Sequence, residues 1–191
     1  LGDVYKRQEI VLREQEQLQL FRRSTRLERD GTDTGLKGYI LTPRGLELIG
    51  QLLDALASND YKAFSITGPY GSGKSSFAVF LSALFEANET GSHRAAMALL
   101  QEECNNIANS VVAMRERLGI ASTGFLVLKV TAQRAPLITI IRQALAACLD
   151  QLMDLPELQA RVRGLIVRDQ IEEQDVVSLI QEICNERPVL L

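Results

Sequence analysis

Histidine occurs once in this sequence, at His93. A histidine-rich metal site or a Ser-His-Asp triad therefore has little to be built from, and His93 reads as an ordinary surface or helix-start residue. Cysteine is nearly as scarce. Cys104, Cys148 and Cys184 are far apart, odd in number and without C-x-x-C spacing. They read as reduced thiols, small buried hydrophobes of a cytosolic protein, rather than as a disulfide framework. Long apolar runs are missing: no stretch approaches the roughly 18 residues needed to cross a bilayer. The first residues lack the charged-then-apolar layout of a secretory signal. Excess charge is missing too, because a net charge of −3 exerts no global pull toward nucleic acid. No internal repeat or low-complexity tract is present.

What is present is an ordinary globular composition, 46% hydrophobic and 24% charged over 191 residues. That length suits one domain with a short extra segment. Residues 1–8, which contain Asp3-Val4-Tyr5-Lys6-Arg7-Gln8, resemble the translated end of a transposon adapter used in DNA library preparation. They are set outside the fold. Residues 9–35 form an N-terminal helical and linker segment. Its arginines Arg22, Arg23, Arg26 and Arg29 offer a nucleic-acid contact, but a solvated helical face is the commoner use of such a cluster.

From residue 36 onward the pattern alternates between helix and strand. Thr42-Pro43 is a helix start, because threonine caps free N–H groups and proline suits the first helical position. Leu46, Ile49, Leu53 and Leu56 then make one apolar stripe. Ala63-Phe64-Ser65-Ile66-Thr67 reads as a short strand. After the glycine-rich stretch that follows it, Phe77, Phe80, Leu81, Leu84 and Phe85 predict a strongly apolar helix. Two helical stretches are expected near 94–103 and 105–118. Residues 125–130 are nearly all apolar, as in a strand covered on both faces. A helix opens at Pro136, another spans about 170–185, and Val189-Leu190-Leu191 looks like the opening of a buried strand. Strands separated by helices predict an α/β fold with a parallel sheet.

The chemistry lies in Gly68-Pro69-Tyr70-Gly71-Ser72-Gly73-Lys74-Ser75, which meets the spacing G-x-x-x-x-G-K-[ST]. Glycines admit left-handed backbone angles, so successive N–H groups can turn inward around phosphate oxygens. The helix that begins at the end of the loop adds its positive dipole end. Lys74 reaches the β- and γ-phosphates and is the catalytic candidate, Ser75 is the magnesium ligand, and Ser76 stands near the α-phosphate. The bare pattern arises by chance in roughly one chain of this length in a hundred, so its place between a predicted strand and helix decides the matter. A second, weaker candidate is the turn Thr131-Ala132-Gln133-Arg134, where Gln133 or Arg134 could approach a phosphate. An exposed polar turn is the plainer alternative.

These residues resemble the P-loop NTPases, and residues 68–76 look most like the loop of AAA+ and STAND-type ATPases. The stretch 39–80 is also loosely similar to large bacterial ATPases of phage defence. The resemblance implies a three-layer sandwich with a parallel sheet, here over residues 36–191 and incomplete at the C-terminal side. It implies ATP and Mg2+ as ligands, and hydrolysis that drives a conformational switch or motor in the full-length protein. The family's Walker B Asp-Glu pair, sensor residue and arginine finger have no counterpart in the sequence, so hydrolysis by this chain alone is expected to be negligible. The resemblance also separates the strands at 63–67 and 125–130, and the chain is expected to be poorly stable or aggregation-prone alone. A P-loop kinase or a nucleotide-gated module with little turnover is the alternative. A homo-oligomer or a protein partner stays open, and no membrane association is expected.

Overall fold

The computed structural model describes residues 36–190, except 37, 59–62, 131–133 and 169–170. The expectations placed on residues 1–35, and on Thr131, Ala132 and Gln133, lie outside the described residues.

Helix α1, Pro43–Ser58, begins at the cap the sequence marks: Thr42 Oγ1 accepts the Gly45 N–H at 3.1 Å. Helix α2, Lys74–Phe85, buries Phe77, Val79, Phe80, Ala83, Leu84 and Phe85, leaving it little polar face. Tyr39 stacks on Phe80 with ring centroids 5.2 Å apart, and burial pushes its phenol up to about 12. Helix α3, Gly91–Arg117, is capped by Thr90, whose side chain accepts the His93 N–H at 3.1 Å. The two expected helical stretches are joined here across a kink at Cys104, whose φ of −158° and ψ of 88° are not helical. Strand β1 is Leu126–Val127, helix α4 is Leu137–Ala147, and a 3-10 turn covers Leu149–Leu152. Helix α5, Pro156–Ile166, was not signalled by the sequence pattern. Helix α6, Glu173–Glu186, opens with a Glu172–Asp175 capping box and leads to strand β2, Val189–Leu190.

β1 and β2 pair in parallel, with Leu126 opposite Val189 and Val127 opposite Leu190. This short ribbon is the wall between two apolar cores, because side chains alternate across a strand. Phe125 and Val127 point into the first core with α1, α2 and α3, where Ile49, Phe80, Phe85 and Leu100 are fully buried. Leu126 and Leu128 point into the second, with Leu145, Leu152, Val162 and Ile183 from α4, the 3-10 turn, α5 and α6. Each such side chain contributes about 1.5–3 kcal/mol when fully buried. The thiol of Cys148 lies in this second core and is pushed up to about 11 by burial, whereas Cys104 is half-buried and Cys184 exposed. Only one of the three thiols is thus the buried hydrophobe expected.

The expected α/β sandwich is not what forms. The described chain is mostly helical, and its sheet has two strands of two residues each. Residues 63–67 have no regular secondary structure and are exposed, in no ladder with any described strand, with Phe64 at 48% and Ile66 at 41% exposure. A strand needs a neighbour to take its backbone groups, and alternation alone cannot supply one.

One edge of the ribbon is closed by a side chain. Leu126 and Leu128 donate toward β2, to Pro188 O at 2.9 Å and Leu190 O at 2.8 Å. Val127 faces the other way, and the Gln151 amide takes both its groups. The Val127 N–H donates to Gln151 Oε1 at 3.0 Å, and Gln151 Nε2 donates to Val127 O at 3.1 Å. Gln151 therefore imitates a neighbouring strand where the described residues supply none. Arg187, just before β2 and 6% exposed, binds Gln151 O of the 3-10 turn at 2.7 Å and the Asp154 carboxylate that follows the turn. Gln151→Leu is expected to cost about 2 kcal/mol by stranding the two Val127 groups. Urea denaturation of the variant beside the parent checks this, and an unchanged midpoint would remove the edge-sealing role.

Candidate functional site

The loop 68–73 rises from the exposed segment 63–67 and runs straight into α2. Gly71 and Gly73 adopt left-handed angles, φ 78° and 80°. Nothing lies within 4 Å of where a Cβ would stand at either, so both positions face open space. The Ser72 N–H closes a turn onto Pro69 O at 3.3 Å, and the first α2 hydrogen bond runs from the Phe77 N–H to Gly73 O at 2.9 Å. Gly73 is the N-cap of α2 and supplies no side-chain acceptor there. A helix start without a side-chain cap, led by left-handed glycines, is suited to an anion.

Lys74 folds back over the loop. Its Nζ donates to Gly68 O at 2.8 Å and to Pro69 O at 2.7 Å, with Ser72 Oγ at 3.4 Å. These are exposed, neutral acceptors that anionic oxygens can replace with stronger, charge-assisted bonds. Tyr70 at the loop tip is fully exposed. Ser75 is exposed and Ser76 half-buried in the first turn of α2. Residues 68–76 thus form one continuous feature. Arg134 of the weaker candidate turn is exposed. No group of three or more His, Cys, Asp or Glu side chains able to hold a metal comes together among the described residues. Ser75 is therefore the sole metal assignment carried from the sequence.

The opposite end of α2 carries a polar cluster that the sequence reading passed over. Arg115 of α3, 2% exposed, donates from Nη1 to Glu86 O at 2.9 Å and Leu84 O at 3.3 Å. Its Nη2 reaches Ala121 O at 3.4 Å. These bonds satisfy carbonyls that a helix C-terminus leaves open, and the cation complements the negative end of the helix dipole. Beside it His93, 7% exposed, places Nδ1 3.0 Å from Leu84 O. The histidine begins a helix as expected but is buried, not on the surface. Arg115 stands next to Met114 in the apolar series Val111, Met114, Leu118, and a charge on that stripe was the available signal.

Burial holds the His93 pKa below its ordinary value of 6.5, and the Arg115 charge lowers it further, against the opposing pull of the Leu84 and Ala83 carbonyls and Glu86. The folded state thus binds fewer protons than the unfolded chain. The resulting stability is present in full above the unfolded value and is lost as pH falls through the lowered folded one. His93→Gln should flatten that slope, and unfolding midpoints across the acid range check it. An equally steep profile in the variant would assign the slope to other groups.

Comparison with known protein families, with characterised protein sequences and with solved structures found no match. No described helix is long and apolar enough to cross a membrane.

Proposed function

We propose that this chain binds ATP with magnesium through residues 68–75, and that in the whole protein hydrolysis of the bound nucleotide drives a conformational switch or motor. The observation that carries this is the loop itself. Two left-handed glycines lead into a helix with no side-chain cap, and Lys74 lies over the loop's own carbonyls.

The residues present suit a polyphosphate. Gly71 and Gly73 hold the left-handed angles that let successive backbone N–H groups turn toward one anion. The Lys74 ammonium exchanges two neutral carbonyls for anionic oxygens, and the N-terminus of α2 adds fixed positive potential at the same place. The Ser75 hydroxyl, one residue into α2, is the group that would ligate magnesium, which supplies charge neutralisation across the phosphates.

Equilibrium titration with a fluorescent ATP analogue and magnesium tests the proposal. ATP and inorganic pyrophosphate are expected to compete for the site, and adenosine to compete weakly, because phosphates dominate the contact. Absence of saturable binding would refute it. Binding without turnover in the whole protein would leave a nucleotide clamp and remove the hydrolytic half.

A further inference from the structure

We propose that the Ser72 side chain is itself part of the anion-binding set: its hydroxyl stays on the Lys74 ammonium and donates its own proton to the same phosphate group. The proposal rests on the reading of residues 68–75 as a nucleotide site. It adds a side-chain donor to a site otherwise made of backbone N–H groups, Lys74 and Ser75.

Gly68 fixes where the hydroxyl stands. Gly71 and Gly73 have left-handed angles, whereas Gly68 does not have a positive φ. Backbone freedom therefore gives no reason for a glycine at 68. Space does. A Cβ there would lie 3.0 Å from Ser72 Oγ, 3.8 Å from Ser72 Cβ and 3.9 Å from Lys74 Cδ. The bare glycine leaves a notch that the Ser72 hydroxyl fills, beside the stem of Lys74. The turn from the Ser72 N–H to Pro69 O, 3.3 Å, holds the backbone that carries the hydroxyl.

Lys74 decides what that hydroxyl can do. An ammonium has three N–H donors, and here they meet three neutral acceptors. These are Gly68 O at 2.8 Å, Pro69 O at 2.7 Å and Ser72 Oγ at 3.4 Å. A carbonyl oxygen only accepts. It has nothing to offer an anion, and it gives way when anionic oxygens compete for the ammonium. A hydroxyl both accepts and donates. The proton of Ser72 has no acceptor among the described residues. Ser72 is thus the one partner of the three that can remain on the ammonium while a phosphate oxygen bound beside it takes its proton. The longest of the three contacts in the free chain is the one that persists in the complex.

Inorganic pyrophosphate, which carries phosphates and no base, is titrated calorimetrically into the parent and four variants. Ser72→Ala is expected to weaken binding roughly tenfold, the lower end of what a hydrogen bond to a charged group contributes. Ser72→Thr keeps the hydroxyl and should recover most of the affinity. Gly68→Ala places its methyl against a side-chain oxygen rather than backbone, so it should displace the hydroxyl, spare the fold and weaken binding as Ser72→Ala does. In the double variant Gly68→Ala should add almost nothing, because no hydroxyl is left to displace and the remaining Cβ at 72 is an ordinary 3.8 Å away. Ligand-free thermal midpoints should hold throughout, since the bond removed is exposed. Ser72→Ala binding as tightly as the parent, or losses that multiply in the double variant, overturns the proposal and leaves the nucleotide site standing. Absence of pyrophosphate binding by the parent overturns both.

Discussion

Lys74→Ala is expected to weaken ATP binding by about two orders of magnitude or more while leaving the fold intact. Charge-assisted hydrogen bonds contribute about 1.5–3 kcal/mol each, and an ammonium lying between two phosphates makes at least two. The fold should survive because the bonds lost in the free protein are exposed ones to Gly68 O and Pro69 O. Exposed hydrogen bonds compete with water and contribute little net stability. Calorimetric titration with Mg-ATP on parent and variant checks the first half, and a thermal midpoint checks the second. Unchanged affinity would mean that the loop does not hold phosphate. A collapsed midpoint with lost affinity would instead show that Lys74 organises the loop before any ligand arrives. Ser75→Ala offers a finer reading, because it should weaken binding chiefly when magnesium is present.

Gly124→Ala is expected to cost about 2–5 kcal/mol. Gly124 has φ +66°, and a Cβ there would lie 2.5 Å from Glu86 O and 2.6 Å from Phe85 O. The left-handed angle alone costs a side-chain-bearing residue about 1–2 kcal/mol, and forced overpacking adds about 1–3 kcal/mol. Relief by a small shift is closed off. Phe85 O already accepts the Phe125 N–H at 2.9 Å, and Glu86 O accepts Arg115 at 2.9 Å. Both obstructing atoms are backbone at the end of α2, so the damage falls on the helix that carries the glycine loop 68–73 at its other end. Urea denaturation measures the loss. Gly164→Ala in α5 is the control: nothing lies within 4 Å of its Cβ position, and the change should stabilise by about 0.5–1 kcal/mol. Equal effects at the two glycines would contradict the crowding at Gly124.

Helices were legible in the sequence because their signals are local. Thr42-Pro43 marks the start of α1, the apolar series from Phe77 to Phe85 marks α2, and each is read within a few turns of chain. The left-handed glycine loop before α2 was legible for the same reason: Gly71, Gly73, Lys74 and Ser75 fall within one short stretch, and no distant residue is needed to recognise the pattern. The strand at 63–67 was misread because strand formation depends on a partner. The segment alternates as a strand should, yet the described fold offers it no edge. On β1 the outward groups of Val127 are already taken by Gln151, which is 24 positions away. Nothing local in the sequence announces that pairing.

The Arg115 and His93 cluster at the end of α2 shows the same division. By itself the sequence determined where α1 and α2 run and that residues 68–75 meet the spacing G-x-x-x-x-G-K-[ST], since both follow from side-chain type and spacing along one short stretch. Tertiary structure alone decided that Arg115 and His93 meet at Leu84 O and that Gly124 lies against the Glu86 backbone. It also decided that two residues of each strand suffice to separate two cores. The physical reason is that these contacts join residues far apart in the chain. Their free energy comes from burial and from pairing groups that water would otherwise satisfy, and a local pattern carries no record of which distant group will be the partner.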